Sequence, residues 1–340
     1  MQAVRYYSQR GLVLENLPAP EPAADEVLVR VAHAGFCGSD RALLKSGGLP
    51  EGYVLGHEVS GVVEEVGSSA RVIAPGTRVT VRPSFCGECR DCRAGRPYFC
   101  RRHRRSIGIG DLPGAFAEMV RVYPDMLIPV PPGVDSRNAA LAEMYAAALH
   151  AARVVGPSTE SMLILGGGPV GLALLQILKL LASGPVVVAE PLVPRRDLAR
   201  RLGADAVIDP ATEAWGQATF GLTAGQGFGT VFECSGIGAN LQVALDCLAP
   251  GGSVGLVSIV FTPLEIQPLT LSLKEARIFG IYSNTHEENR QVLAWMADGR
   301  LDGRALVTDC VPLEALPEVF GRRIVTGEAV KVLVQAGEAF

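Results

Sequence analysis

Apolar and polar positions along this chain follow two different rhythms. Near the start, Val27, Val29 and Val31 alternate with Leu28, Arg30 and Ala32, the period-two spacing of a strand with one face buried. That strand ends at the turn Gly35-Phe36-Cys37-Gly38. A second strand is predicted over Val59–Val66, between Gly56 and Gly67, and a third over Arg78–Arg82. Short strands broken by Gly and Pro predict a barrel-like β region over roughly the first 140 residues. The turn Pro129-Val130-Pro131-Pro132-Gly133 closes it, and an alanine-rich helix is predicted over Ser136–Val155.

After Gly156-Pro157 the rhythm changes. Met162-Leu163-Ile164-Leu165 is a short, continuously apolar run of the kind buried in a parallel sheet. The pattern then predicts a helix over Pro169–Leu181, a strand over Val186–Ala189, a helix over Arg195–Leu202 and a strand over Ala206–Ile208. A strand over Thr230–Cys234, a helix over Ala239–Leu248 and a strand over Ser253–Ser258 follow. Strands and helices alternating at this spacing predict a doubly wound α/β domain. From about Phe279 a mixed pattern returns, with a helix near Glu287–Met296. A chain of 340 residues exceeds what a single core usually serves, so two domains are expected.

Composition narrows the function classes. A net charge of −4 argues against nucleic acid as partner. The one basic run, Arg101, Arg102, His103, Arg104 and Arg105, has no interleaved aromatic residue on which bases could stack, and reads as a solvated loop. The longest apolar candidate, Leu172 to Ala182, is interrupted by Gln176 and Lys179, and no run reaches the roughly 18 residues of a membrane span. The opening MQAVRYYSQR lacks the apolar core of a secretory signal, so a cytoplasmic location is expected.

Four of the eight cysteines, Cys86, Cys89, Cys92 and Cys100, fall within fifteen residues. Their spacing, C-x2-C-x2-C-x7-C, suits four thiolates closing on one tetrahedral structural zinc. Disulfides fit poorly, because the cysteines sit in one knot rather than a framework. A bacterial iron–sulfur pattern would place the fourth cysteine after three residues and follow it with proline, whereas seven residues intervene here and Arg101 follows.

A second chemistry lies in Gly166-Gly167-Gly168-Pro169-Val170-Gly171, which fits G-x-G-x-x-G between an apolar strand and a helix. Gly166 permits the tight turn, Gly168 lets a pyrophosphate approach the backbone, and Gly171 lets helix and strand pack closely. Pro169 suits the first helical turn. Glu190 closes the next strand, 24 residues after Gly166. A carboxylate there accepts the adenosine ribose hydroxyls and repels a 2′-phosphate, favouring NAD over NADP. Arg195 and Arg196 leave NADP open; Arg195 is placed near the ribose or pyrophosphate and Arg196 in water.

Cys37-Gly38-Ser39-Asp40 and Gly56-His57-Glu58 supply Cys, His and Glu from two turns, a mixed set typical of a zinc that keeps one position open. Glu143, at an alanine-rich helix start, is a fourth candidate, since a buried carboxylate there needs a metal or a partner. Together these stretches, in this order, resemble the zinc-dependent medium-chain alcohol and polyol dehydrogenases, and in particular the sorbitol and threonine dehydrogenase branch. Gly61, Gly67, Phe232-Glu233-Cys234-Ser235-Gly236, Gly251-Gly252 and Ala329-Val330-Lys331-Val332 extend the likeness over nearly all 340 residues.

The resemblance implies a GroES-like β-barrel catalytic domain, residues 1–145 and 279–340, with a structural zinc lobe at about 84–102 and an inserted Rossmann NAD-binding domain at 146–278. It implies two zinc ions per chain: one on Cys86, Cys89, Cys92 and Cys100, the other on Cys37, His57 and either Glu58 or Glu143. It further implies that Asp40 orients the zinc histidine and that Ser39 takes the substrate proton. Many relatives pass that proton to a histidine five residues after the cysteine; that position is Ala42 here. Ile107 and Ile109 are placed by family position on the substrate pocket wall. The implied reaction moves hydride between NAD(H) and the secondary alcohol of a polyol, sugar or hydroxy amino acid. Alternatives are a simple alcohol dehydrogenase using NADP, or a non-catalytic nucleotide-binding protein; zinc-free relatives of that second kind usually lack the catalytic His and the cysteine lobe, both present here. Four-subunit assembly is common among bacterial relatives, so a homo-oligomer, tetramer or dimer, is expected. His33, His103, His150 and His286 read as structural or exposed, and Cys234, Cys247 and Cys310 as small core residues.

Overall fold

The computed structural model describes residues 1–70, 73–156, 159–181, 184–211, 215–260 and 263–340. Pro157 and Ala182, at the ends of two stretches singled out above, lie outside the described residues. The chain divides into two compact units, one of residues 1–146 with 284–340 and one of residues 147–283.

The first unit is built on a seven-stranded sheet. Its axis is the strand Val27–Gly35, which runs antiparallel to Glu58–Val66 along one edge. Its other edge is shared, first by Met119–Val122 and then by Lys331–Gln335. The sheet continues through Arg78–Val81 to Leu127–Pro129 on one side and to Val307–Pro312 on the other. A three-stranded sheet of Gly11–Asn16, Gln2–Tyr7 and Tyr53–Val54 lies beside it in the same unit. β-Branched residues explain the arrangement: Val27, Val29, Val31, Val59, Val63, Val79, Val120 and Val332 are buried in one cluster with Phe116. Such side chains lose little freedom on a pleated surface and pack well across it.

The second unit carries six parallel strands in the order Ala206–Ile208, Val186–Ala189, Met162–Leu165, Phe228–Glu233, Leu248–Leu256, Arg277–Gly280. In chain order that is third, second, first, fourth, fifth, sixth, the doubly wound arrangement. The order reverses between Met162–Leu165 and Phe228–Glu233, so the crevice at their carboxyl ends is the place where such sheets bind ligands. Helices Pro169–Leu181 and Val193–Arg201 follow the first two strands, and Met162–Leu165 is buried along its whole length.

Among the elements the alternation missed are the strands Gln2–Tyr7, Gly11–Asn16, Met119–Val122, Leu127–Pro129, Arg277–Gly280, Val307–Pro312 and Lys331–Gln335, and the helices Gly38–Ser46, Trp215–Thr223 and Pro268–Lys274. It also placed the return to the first unit at 279, whereas Phe279 and Gly280 finish the sixth strand of the parallel sheet. Arg277–Gly280 is an edge strand, largely exposed, and carries no apolar run to announce it. Among the described residues, no helix is long and apolar enough to cross a membrane.

Candidate metal centre and dinucleotide site

One carboxylate organises the first site. Helix Gly38–Ser46 starts immediately after Cys37, and Asp40 in its first turn is fully buried. Asp40 Oδ2 accepts the Cys37 N–H at 2.9 Å, and Oδ1 accepts the Gly56 N–H at 3.4 Å. The same Oδ1 stands 3.3 Å from His57 Nδ1. Asp40 thereby ties the turn carrying Cys37 to the turn carrying His57. Gly56 adopts φ +96°, and a Cβ there would meet the Phe116 ring at 3.0 Å, so the second turn requires glycine.

Register places the third group. Gly35 pairs with Glu58 across the sheet, and a Cβ on Gly35 would run into the Glu58 carboxylate. The missing side chain on one strand is the space the acid occupies on the other. Cys37 Sγ, an imidazole nitrogen of His57 and a Glu58 oxygen then lie within 4.8 Å of one another. Ser39 Oγ is 3.3 Å from His57 Nε2.

Charge decides what fits there. Lys331, buried on the strand Lys331–Gln335, forms an ion pair with Glu58 and donates to Phe36 O at 3.0 Å. Burial works against its ammonium, but Glu58, Cys37 and Asp40 outweigh burial and raise its pKa. Burial likewise opposes a charged His57, and the Asp40 carboxylate overcomes it, raising the imidazole pKa well above its usual value. Glu58 Oε1 is buried without a hydrogen-bond partner, a costly state for a carboxylate oxygen. Once His57 has given up its proton to act as a donor and Cys37 is a thiolate, the thiolate and two buried carboxylates against one ammonium leave two negative charges uncompensated. One divalent ion cancels them, and sulfur, imidazole and carboxylate are zinc donors.

The cysteine lobe is assembled locally. The sulfurs of Cys86, Cys89, Cys92 and Cys100 also converge within 4.8 Å. Separations are 3.9 Å for Cys86–Cys92, 3.4 Å for Cys89–Cys92, 3.9 Å for Cys89–Cys100 and 3.5 Å for Cys86–Cys100. All cysteines are free thiols. A tetrahedron with zinc–sulfur bonds of about 2.3 Å has edges of about 3.8 Å, so the four sulfurs already fit one ion. Burial opposes the Cys100 thiolate, but hydrogen bonds from the backbone at Cys86, His103 and Arg102 bring its pKa down to about 6.

The dinucleotide turn lies at the reversal of the parallel sheet. Gly166 has φ +102°, and a Cβ on it would meet the Ser235 backbone at 2.8 Å. A Cβ on Gly171 would strike Gly166 O, whereas around Gly168 nothing lies within 4 Å. The close approach and the open backbone face are therefore where the motif needs them. Pro169 and Val170 open the helix Pro169–Leu181. Glu190 is buried; Oε2 accepts the Gly167 N–H and Oε1 the Leu192 N–H, both at 2.9 Å. Arg195 Nη1 stands 3.9 Å from Glu190 Oε2. Arg196, expected in water, is mostly buried instead, with Nη2 2.9 Å from Asp209 Oδ2.

Residues 23–132 match the alcohol dehydrogenase GroES-like domain and residues 169–298 the zinc-binding dehydrogenase domain. The sorbitol dehydrogenase of Bacillus subtilis (strain 168) is 30% identical over 347 residues, covering 98% of this chain and 97% of that protein. This chain is a zinc-dependent medium-chain alcohol and polyol dehydrogenase. An L-threonine 3-dehydrogenase of Rhizobium etli (strain CFN 42) is 29% identical over 91% of each chain. Among solved structures, a protein described as a zinc-binding dehydrogenase, from Sinorhizobium meliloti 1021 and bound to NADP, has a TM-score of 0.88 and 32% identity over 98% of each chain. Membership makes the protein an oxidoreductase of CH–OH donors that works with zinc and a nicotinamide dinucleotide.

Within this dehydrogenase, the structure does not bring Glu143 into the Cys37, His57, Glu58 set. Its carboxylate is taken by Arg82 Nη1 at 2.8 Å and Asn284 Nδ2 at 3.1 Å. Glu143 does not start a helix but lies inside the helix Ser136–Val155, partly buried, and the partner such an acid needed is a guanidinium. Ile107 belongs to the core of the first unit, while Ile109 is half-buried. The reading of single residues missed Lys331 and Arg82. Lysine is used only at Lys45, Lys179, Lys274 and Lys331; a lone lysine opening the apolar run Val332-Leu333-Val334 was the available signal for a buried cation.

Proposed function

We propose that this dehydrogenase oxidises the secondary alcohol of a polyol, sugar or hydroxy amino acid with NAD. One zinc is held by Cys37, His57 and Glu58, and a second, structural zinc by Cys86, Cys89, Cys92 and Cys100. The first unit, residues 1–146 and 284–340, is the catalytic one, and residues 147–283 bind the dinucleotide. The observation that carries this reading is the convergence of Cys37, His57 and Glu58 with two negative charges left over. When bound, zinc would supply the Lewis acid that lowers the alcohol's pKa, and the dinucleotide the hydride acceptor.

The chain's own residues do the rest. Asp40 fixes the ring of His57 through Nδ1, leaving Nε2 towards Ser39 and the metal set. The Ser39 hydroxyl accepts the substrate proton and, with Ala42 in place of a histidine, hands it to water. Lys331 offsets the charge of Glu58 so that the carboxylate survives in a buried site. Glu190 favours NAD by meeting the ribose hydroxyls, although the NADP-bound relative keeps the phosphorylated dinucleotide as the rival. The substrate class rests on relatives named for sorbitol and threonine. A second copy of the chain would pair along the exposed edge strand Arg277–Gly280, which the helix Pro268–Lys274 with exposed Leu269 and Leu273 precedes in the chain. Free cysteines fit a reducing cytoplasm.

The deciding experiment combines metal analysis with an activity screen. Polyols, sugars, threonine and simple alcohols are offered with NAD or NADP, and reduced cofactor is followed by absorbance. The reading expects nearly two zinc per chain and turnover of a secondary alcohol with NAD. Iron in place of zinc, or no turnover by zinc-replete protein across the panel, would overturn it.

A further inference from the structure

Beside Glu190 the second unit holds a cation that the NAD reading does not use. Arg196 is only 11% exposed and Asp209, which follows the strand Ala206–Ile208, is 21% exposed. Arg196 Nη1 donates to Glu190 O at 2.7 Å and to Pro191 O at 2.6 Å, while Nη2 faces Asp209 Oδ2 at 2.9 Å. The other Asp209 oxygen accepts the Ala211 N–H at 3.0 Å, so the acid is itself oriented by its own loop. A guanidinium has five N–H donors in a fixed plane. Here both donors of Nη1 go to the two carbonyls, and Nη2 is turned to the carboxylate.

A 2′-phosphate carries nearly two negative charges and is recognised best by the forked donors of an arginine. Arg196 is next to the carboxylate that would meet the ribose, yet its fork is turned to the backbone of Glu190 and Pro191. We propose that Asp209 is a coenzyme-specificity residue, acting through Arg196: it parks the guanidinium under the Glu190–Pro191 corner and denies it to a 2′-phosphate. Selection of NAD then has two parts. Glu190 repels the phosphate, and Asp209 withholds the Arg196 guanidinium, leaving Arg195 as the cation nearest the Glu190 carboxylate. The inference deepens the NAD reading and rests on it.

The test is a binding cycle that needs no knowledge of the alcohol. NADH and NADPH are titrated by fluorescence into zinc-replete wild type, Asp209→Asn, Arg196→Gln and the double variant. Asn keeps an acceptor for the Ala211 N–H, and Asp209→Ser serves if the Asn protein is unstable. The Kd ratio of NADPH to NADH is expected to fall about tenfold in Asp209→Asn, the scale of one charge-assisted hydrogen bond, and to return to the wild-type value in the double variant. A merely structural role for Asp209 would weaken both coenzymes together and leave the ratio unmoved, which overturns the proposal. A fall that persists without Arg196 overturns it too, since the gain would then come from removing an acid alone. Tighter binding of NADPH by wild type would sink the NAD reading separately, and the change across the cycle would still judge Asp209.

Discussion

The two metal-type clusters differ in how far apart their parts lie in the chain. The cysteine lobe takes every donor from residues 86 to 100, and the turns between them do the positioning. The other cluster takes Cys37 and Asp40 from one turn, His57 and Glu58 from another, and Lys331 from a strand at the far end of the sequence. Four equivalent thiolates make a closed site in which nothing is left over for chemistry. Three unlike donors, a second carboxylate behind the histidine and an ammonium behind the acid make a site whose charge and open position are set separately. The difference teaches that spacing alone can encode a structural site, whereas a reactive one is encoded by the sheet that brings distant segments together.

Paired substitutions break that contrast most sharply. Cys37→Ser is expected to lower kcat/KM by about 10³ or more, remove one zinc per chain and leave the melting temperature little changed. Cys92→Ser is also expected to remove one zinc, but to lower the melting temperature, with activity falling through instability. Zinc per chain, melting temperature and turnover measured on both proteins check this, and equal melting temperatures would dissolve the distinction. Next in size is Lys331→Met. Removing the ammonium leaves Glu58 buried beside the other anions and should destabilise the zinc-free protein by about 3–5 kcal/mol. Zinc then offsets two of three uncompensated charges in a site that starts more negative than wild type, so the rise in melting temperature on adding zinc is expected to be larger in Lys331→Met than in wild type.

The smallest effect concerns the strand that leads into the reactive site. Burial, with Arg137 adding to it, pushes the pKa of His33 down to about 4. The ring is neutral in the folded chain, with Nδ1 3.0 Å from Ser136 Oγ. An unfolded chain takes up that proton below the ordinary pKa of about 6.5, so the stability held by neutral His33 is full above that value and drains away as pH falls towards 4. Between about pH 7 and pH 5 the loss is about 2 kcal/mol. In His33→Asn this part of the acid sensitivity should vanish, and thermal melts of both proteins across that range read it out. The cysteine lobe, which makes no use of His33, should contribute equally to both.

Where chemistry is local, the sequence was readable. The spacing of Cys86 to Cys100 and the glycines at Gly166 and Gly171 announce their geometry within a few residues, and the alternation of strands and helices in the second unit follows from apolar runs such as Met162–Leu165. The first site was readable only in its donors. Glu143 looked like a ligand because an acid in an alanine-rich helix lacked a visible partner; Arg82, which supplies one, lies 61 residues earlier in the chain, just past the strand Arg78–Val81. Lys331 was hidden for the same reason, since no local pattern says that a lysine will be paired across a sheet with the strand preceding Cys37. Edge strands such as Arg277–Gly280 were lost because their residues are largely exposed, which erases alternation.

The lysine that balances Glu58 lies 295 residues beyond Phe36, whose carbonyl it also binds. At a synthesis rate of about 5–20 residues per second, the thiol, imidazole and acid leave the ribosome roughly 15–60 s before their counter-charge does. Through that interval the nascent site carries its greatest excess of negative charge and so its strongest pull on a cation. An ion held by this candidate set would thus be drawn most strongly before the last strand arrives, and Lys331 would then moderate that pull.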